Sequence, residues 1–417
     1  MNLLTTAART WLTRSPEPFR FTADNDAVLD YDDCPGLGLY VHIPFCRTLC
    51  NFCPYCKERY TPEAAGAYTA ALLQEIEMVG SMRGERTRVS SLYFGGGTPA
   101  LLAAELGRII EALRQYFDIT DGVGAELHPA DVNVKTLSLL REAGVTRISI
   151  GIQSFLPEFV RCLGRPAPQP EKLAAALAAV PFETVSMDFI FALPGQKIEH
   201  IRRDLDTAFA HGANHVAVYP FIDFSFTGSP VHAMPGRQKH HLLDELTAYC
   251  ESKGLVRDSI WTFATPGGHR YSSMTRDTFL GFGCSATTLL RDSFKINTFS
   301  VKAYIERIRA GQLPTALTTR FSRRQRMLYY LFWRAYTTSV SRSDFRDFFG
   351  TELENEFGAE FRLARWLGYI VHEGDGYRLT PLGAYYFHYF ENFYTLAYID
   401  KMWGILRHCD FPESIVL

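Results

Sequence analysis

No apolar run in this chain approaches the roughly 18 to 20 residues that cross a bilayer, so the sequence offers no membrane helix. Charge of one sign is not in excess. The 43 Lys and Arg against 45 Asp and Glu leave a net charge of −2. That excludes the strongly basic footprint of a bulk nucleic-acid binder and leaves room only for a local basic patch. Fixed-period repeats and low-complexity tracts are lacking too, which excludes a solenoid. The first twenty residues carry Arg9, Arg14 and Arg20 without the continuous apolar stretch of a signal peptide. A cytoplasmic protein is expected, with its thiols reduced unless they bind something. What is present is ample apolar material. With 47% hydrophobic residues the chain builds a large core rather than staying disordered, and 417 residues suggest about two or three domains.

Cysteine is unevenly spread. Of nine, four lie between positions 46 and 56 and five (Cys34, Cys162, Cys250, Cys284 and Cys409) are scattered. A disulfide framework spreads its pairs and favours an even count, so the pattern reads as one cluster on a background of small buried hydrophobes. The cluster runs Cys46-Arg-Thr-Leu-Cys50-Asn-Phe-Cys53-Pro-Tyr-Cys56. Its first three cysteines form C-x3-C-x2-C. Three thiolates on one short loop can each hold one iron of a cubane, leaving the fourth iron open to a small molecule. The competing reading is a structural zinc held by all four. Zinc knuckles come as two well-separated halves, and no second half is present.

The loop directly follows the apolar segment Gly38-Leu-Tyr-Val-His-Ile-Pro-Phe45, and Phe52 and Tyr55 are interleaved to shield it. Tyr40-Val-His-Ile-Pro-Phe-Cys46-x3-Cys50-x2-Cys53 resembles the radical S-adenosylmethionine (SAM) superfamily. Within it, the chain from about residue 36 to its end resembles the oxygen-independent coproporphyrinogen III oxidase-like subfamily. The resemblance implies a [4Fe–4S] cluster on Cys46, Cys50 and Cys53, one SAM or two, and an electron donor such as flavodoxin or ferredoxin. Cys56 departs from the pattern. The oxidases often carry a further cysteine two positions after the third ligand, whereas here it is three positions on, and Cys56 is read as a thiol outside the ligand set.

From Leu39 to about Pro220 strands alternate with helices. Strands are expected at Leu39–Ile43, Val89–Phe94, Val123–Leu127, Arg147–Ile152, Thr184–Phe191 and His215–Tyr219. The first helix is expected to start at Thr61 as N-cap with Pro62 behind it. Alternation of this kind gives βαβ units and a parallel sheet. The fold class is therefore α/β. Six units are too few for a full barrel, and an open six-stranded partial barrel fits, as the resemblance implies. The expected division is an extension at 1–35, the barrel at 36–225, a less regular extension with a substrate-side segment at 226–319, and a mostly helical, winged-helix-like unit at 320–417.

Ligands of such sheets sit at the carboxyl ends of the strands, where the remaining motifs fall. Gly95-Gly96-Gly97-Thr98-Pro99 follows strand two, and its glycines let backbone approach a ligand closely. Glu126 ends strand three, Gln153 ends strand four, and Asp188 lies in an apolar strand where a buried carboxylate needs partners. The resemblance implies that Tyr40, Gly96, Gly97, Thr98, Glu126, Gln153 and Asp188 surround SAM. It implies further that Arg165 pairs with the SAM carboxylate, a charge-assisted and bidentate anchor. Leu193-Pro-Gly-Gln196 shapes the same rim. Within the segment 275–286, Gly281-Phe-Gly-Cys-Ser-Ala286 resembles a stretch near the active-site opening where some relatives place a second SAM.

Arg323, Arg324, Arg326, Arg334, Arg342 and Arg346 make the C-terminal unit locally basic, yet Tyr385-Tyr-Phe-His-Tyr-Phe390 reads as packing surface. Substrate cover is expected there rather than DNA. Four readings of function follow. One is oxidative decarboxylation of a tetrapyrrole propionate. The second is two-SAM methyl transfer or cyclopropanation. The third is a non-enzymatic haem chaperone with His42, His128 or His388 as axial ligand. The last is a winged-helix regulator with an iron–sulfur sensor.

Overall fold

The structure is a computed structural model that describes residues 3–23, 28–32, 34–268 and 277–417. Six parallel strands lie side by side at its centre: β1 (Gly38–Ile43), β2 (Leu92–Gly96), β3 (Val123–Leu127), β4 (Arg147–Gln153), β5 (Thr184–Phe191) and β6 (His215–Pro220). Each neighbour pair is in parallel register, for instance Tyr40 with Tyr93 and Met187 with Val216. Crossover helices join them: α1 (Pro62–Gly80), α2 (Ala103–Tyr116), α3 (Val134–Glu142), α4 (Pro157–Cys162), α5 (Pro170–Ala179) and α6 (Ile198–Ala210). The start of α1 follows the sequence, because Thr61 accepts from Ala64 N and Pro62 occupies the first turn. The strands read as continuous apolar runs. Leu39, Val41, Ile43, Ile148, Ile150 and Val218 are buried, as a sheet covered on both faces requires.

Three features differ from expectation. Strand two is broken: Thr87–Val89 pairs with Phe117–Ile119 in a separate small sheet, and β2 begins only at Leu92. The polar pair Ser90-Ser91 bridges the gap, with Ser90 N donating to Leu37 O and Ser91 O accepting from Leu39 N. The sheet also does not stop at six strands. Among the described residues it has fourteen, continuing past β1 through β7 (Phe279–Phe282), which is parallel to it, and then β8 (Thr287–Leu289), β9 (Ser293–Asn297) and β10 (Thr315–Arg320). The N-terminal strand Arg20–Thr22 joins the same sheet between β10 and the last strand, Ser414–Val416. Finally, Cys162 and Cys409 are exposed and Cys34 is half-buried, so of the scattered cysteines only Cys250 and Cys284 are the buried hydrophobes expected. Cys162 sits on the last turn of α4, its thiol donating to Phe159 O.

The C-terminal region runs helix Arg323–Tyr336, strand Ser339–Ser341, helices Arg342–Phe349 and Leu353–Trp366, then the hairpin Ile370–Glu373 and Gly376–Leu379. The first of these strands pairs with the last, closing a three-stranded sheet. A small core of Met327, Tyr330, Phe345, Leu353 and Phe357 holds the region together. Its arginines have internal partners. Arg324 bonds Glu360 at 2.7 Å, Arg342 bonds Glu354 at 2.7 Å, Arg334 pairs with Asp277, Arg326 donates to Leu290 O and Arg323 donates to Phe349 O. The local run of positive charge is therefore largely neutralised within the fold.

Asp204 of α6 clamps the end of β4: its carboxylate accepts from Ser154 Oγ at 2.6 Å and from Phe155 N at 2.7 Å. Burial pushes its carboxyl up to about 6. A carboxyl raised in the fold binds its proton more tightly there than in the unfolded chain, so its contribution to stability falls as pH rises through that window. Relative to wild type, Asp204→Asn should gain at most about 3 kcal/mol between pH 4 and pH 7, read as the difference between the two urea midpoints at each pH.

Candidate metal and cofactor site

The cysteine loop leaves the carboxyl end of β1. Its base is closed by a two-residue pairing of Phe45–Cys46 with Glu58–Arg59, with Glu58 N donating to Pro44 O and Tyr60 N to Cys46 O. This closure puts the three thiols of Cys46, Cys50 and Cys53 over the ends of the central strands. Burial pushes the Cys46 thiol up to about 11, and the nearby Cys53 and Cys50 push the same way against the Thr98 hydroxyl, 3.8 Å from Cys46 Sγ. Thiols must become thiolates to hold metal, and that form is favoured by nearby positive charge. Arg165 supplies it, with Nε 3.0 Å from Cys50 Sγ, and Lys57 Nζ lies 2.5 Å from Cys53 O.

The donor set fits a polynuclear cluster. All three ligands are thiols of one loop, and they do not gather within 4.8 Å as single-ion donors do; among the described residues only one other group does so. The turn after β2 is a cradle that a side chain would fill. Gly96 has φ +117° and a Cβ there would stand 2.6 Å from the His42 ring, while a Cβ on Gly97 would stand 2.6 Å from Phe45 O. Gly97 N donates to Ile43 O, holding the turn against the cysteine loop.

The other sequence-expected residues cluster on the same edge. Glu126 accepts from Gly96 N and from the Tyr93 hydroxyl, each at 3.1 Å. Burial pushes it up to about 7, with the Asp188 carboxylate adding to the shift. Asp188 accepts from Ser149 of β4 at 2.6 Å and from Ser186 of its own strand at 3.1 Å, which supply the partners a buried carboxylate needs, and burial pushes it up to about 6. Tyr40 stacks on Tyr93 with centroids 6.4 Å apart, and its hydroxyl lies 3.1 Å from His42 Nδ1. Gln153 takes a left-handed φ of +68° where β4 ends. Arg165 Nη1 donates to Gly151 O at 3.1 Å, and its guanidinium lies over the Phe52 ring. One arginine thus ties the cysteine loop to the end of β4. Leu193 N donates to Gln196 Oε1, so the Leu193–Gln196 turn is closed on itself.

The Gly281–Ala286 segment runs along β1 and into the turn after β7. Gly281 pairs with Tyr40 inside the sheet, a Cβ there would stand 2.1 Å from Thr287 O, and Cys284 is fully buried. Residues 269–276, including Thr275 and Arg276 of the wider segment, lie outside the described residues. Several contacts gave no sequence signal. Arg47 bonds Asp131 at 2.7 Å, tying the cysteine loop to the turn after β3. From the far end of the chain, Arg407 donates to Pro54 O and Trp403 lies 5.9 Å from the Tyr55 ring.

Comparison with known proteins agrees with this geometry. A family profile described as Radical SAM superfamily matches residues 40–208, and the chain belongs to that superfamily. Within it, the chain is similar to oxygen-independent coproporphyrinogen III oxidases and to the haem chaperone HemW. It is 26% identical over 362 residues to the heme chaperone HemW of Bacillus subtilis, covering 82% of this chain and 95% of that protein. It is 27% identical over 391 residues to the oxygen-independent coproporphyrinogen III oxidase of Paracoccus denitrificans, covering 84% of each. The solved coproporphyrinogen III oxidase HemN of Escherichia coli shares its fold, with TM-score 0.74 over 88% of this chain and 93% of that one at 24% identity. The family implies a [4Fe–4S] cluster and SAM. Among the described residues no helix is long and apolar enough to cross a membrane.

The tightness of the cradle is testable. Gly96→Ala places a Cβ against a ring pinned at both nitrogens and requires an unfavourable φ. It should cost about 3 kcal/mol, read as a lowered midpoint of thermal unfolding, whereas Gly84→Ala, at a position with open space around it, should leave the midpoint unchanged.

Proposed function

We propose that the chain is a radical SAM enzyme that acts on a propionate side chain of a tetrapyrrole by oxidative decarboxylation. The observation that carries the reading is Arg165, which reaches Cys50 on one side and the end of β4 on the other. Cys46, Cys50 and Cys53 hold the [4Fe–4S] cluster. When bound, such a cluster supplies a low-potential electron for reductive cleavage of a sulfonium C–S bond. Arg165 offers the remaining face of its guanidinium to the carboxylate of SAM. Glu126 holds the Gly96 N–H in place, so the Gly96-Gly97-Thr98 turn meets the amino group with fixed backbone. Asp188 and Gln153 face the ribose. Tyr40 and Phe52 keep water from the reacting atoms.

The C-terminal region, with the strand and helix order of a winged helix, acts as a cover rather than a DNA reader. Its arginines are taken up by internal carboxylates and carbonyls, and the terminal helix Asp400–Leu406 leads Arg407 onto the cysteine loop. Two of the three histidines considered as haem ligands are committed elsewhere. His42, 3% exposed, has no room beside it for a group as large as haem, and His388 is buried against Trp261 and Glu391. This favours the enzyme over a chaperone that uses them, although the likeness to HemW keeps haem binding as the rival outcome.

Anaerobically reconstituted protein given SAM and dithionite should form 5′-deoxyadenosine with about four irons per chain, and Cys50→Ala should abolish both. Zinc in place of iron, or iron without nucleoside, overturns the reading. Coproporphyrinogen III should be consumed with loss of carbon dioxide; stoichiometric haem binding without turnover would assign the chaperone role instead. Arg165→Ala should weaken SAM binding by roughly 10- to 100-fold at unchanged iron content, measured by anaerobic equilibrium dialysis.

A further inference from the structure

Cys56 and the Gly281–Ala286 segment take no part in the site above, yet the fold brings them together. Cys56 Sγ and Cys284 Sγ lie 3.9 Å apart across 228 residues of sequence. A ring nitrogen of His42 completes a group whose donor atoms all fall within 4.8 Å of one another. The three residues are 5%, 0% and 3% exposed, so the group is sealed from solvent. Tetrahedral zinc with Zn–S bonds of about 2.3 Å separates two thiolates by about 3.8 Å, which is the separation found here. Soft thiolates with an imidazole are the ligands that select zinc.

The surroundings hold this geometry. Tyr68 Oη donates to His42 O at 2.8 Å, accepts from Cys284 N at 3.0 Å and lies 3.7 Å from Cys284 Sγ. Glu75 accepts from Gly283 N at 2.7 Å and from Tyr304 at 2.7 Å, anchoring the turn that carries Cys284. Ser285 holds a left-handed φ of +55°, a conformation that a non-glycine residue takes only when its surroundings require it.

We propose that His42, Cys56 and Cys284 bind one zinc ion, in a site separate from that of the cysteine loop. The Tyr68 hydroxyl is taken up by His42 O and Cys284 N, so the Ser285 hydroxyl beside Cys56 is the oxygen available to the fourth position. Binding displaces the two thiol protons to solvent. One of these is the proton that Cys56 donates to Phe299 O, at 3.0 Å. The ion would tie the loop after Cys53 to the strand beside β1. It would also fix the His42 ring behind the Gly96 turn, so it is a structural staple rather than a reaction centre. The inference does not depend on the proposed function.

The test is metal content of the full chain purified without oxygen from zinc-supplemented cells. Wild type should contain about one zinc beside about four irons. The triple variant Cys46→Ala, Cys50→Ala, Cys53→Ala should lose the iron and keep the zinc. Cys284→Ser should lose the zinc and keep the iron. Cobalt(II) added to the triple variant should give the absorption of a tetrahedral thiolate site, a readout that stands even if Cys284→Ser is insoluble. Wild type with less than about a tenth of a zinc per chain overturns the proposal. So does zinc that survives Cys284→Ser, or a Cys56–Cys284 disulfide in the purified chain.

Discussion

Three thiolates crowded on one half-buried loop repel one another and are poorly solvated, and the arrangement of the site answers that single constraint. Arg165 brings a guanidinium to Cys50, and Lys57 and the Thr98 hydroxyl face the other two cysteines. Lys57 belongs to the cysteine loop itself, but Thr98 follows β2 and Arg165 is anchored on Gly151 of β4, so the loop gains these two contacts only when the carboxyl ends of β1, β2 and β4 are side by side. The parallel register provides this. Crossovers of one hand bring every strand end to the same edge, where carboxylates, glycines and an arginine from distant parts of the sequence meet.

That edge carries a second tension. Burial raises the proton affinity of both Glu126 and Asp188, the Asp188 carboxylate adds to the shift of Glu126, and each is compensated by hydrogen bonds from groups on its own or a neighbouring strand. Carboxylates held in this way are rigid and poorly solvated. They bind an incoming hydroxyl or ammonium group without first giving up a shell of water.

Much of this was legible in the sequence because the signals are local. The six parallel strands show as apolar runs between helical periods, the α1 cap shows as Thr61-Pro62, and the cysteine spacing is a motif of eight residues. What was not legible is long-range. Ser90-Ser91 splits a strand because their backbone groups bond to Leu37 and Leu39, and no window around residue 90 contains those partners. The basic run at 323–346 reads as a charged surface until Asp277, Glu354 and Glu360 are folded against it. The meeting of Cys56 with Cys284 is likewise invisible to spacing, since β7 reaches β1 only by adding a strand after the six-unit pattern has ended.

The sheet edge formed by Arg20–Thr22 has a consequence for the order of assembly. This strand is synthesised about 300 or more residues before its partners, Thr318 and Ser414–Val416. It waits unpaired until they are made. Arg407 and Trp403, which lie on the cysteine loop, belong to the same late segment. On the growing chain the thiols therefore stand uncovered after the central strands have formed, until Trp403 and Arg407 have been made and packed over the loop. Metal delivery has a natural interval, set by the sequence separation between the cysteine loop and the residues that cover it.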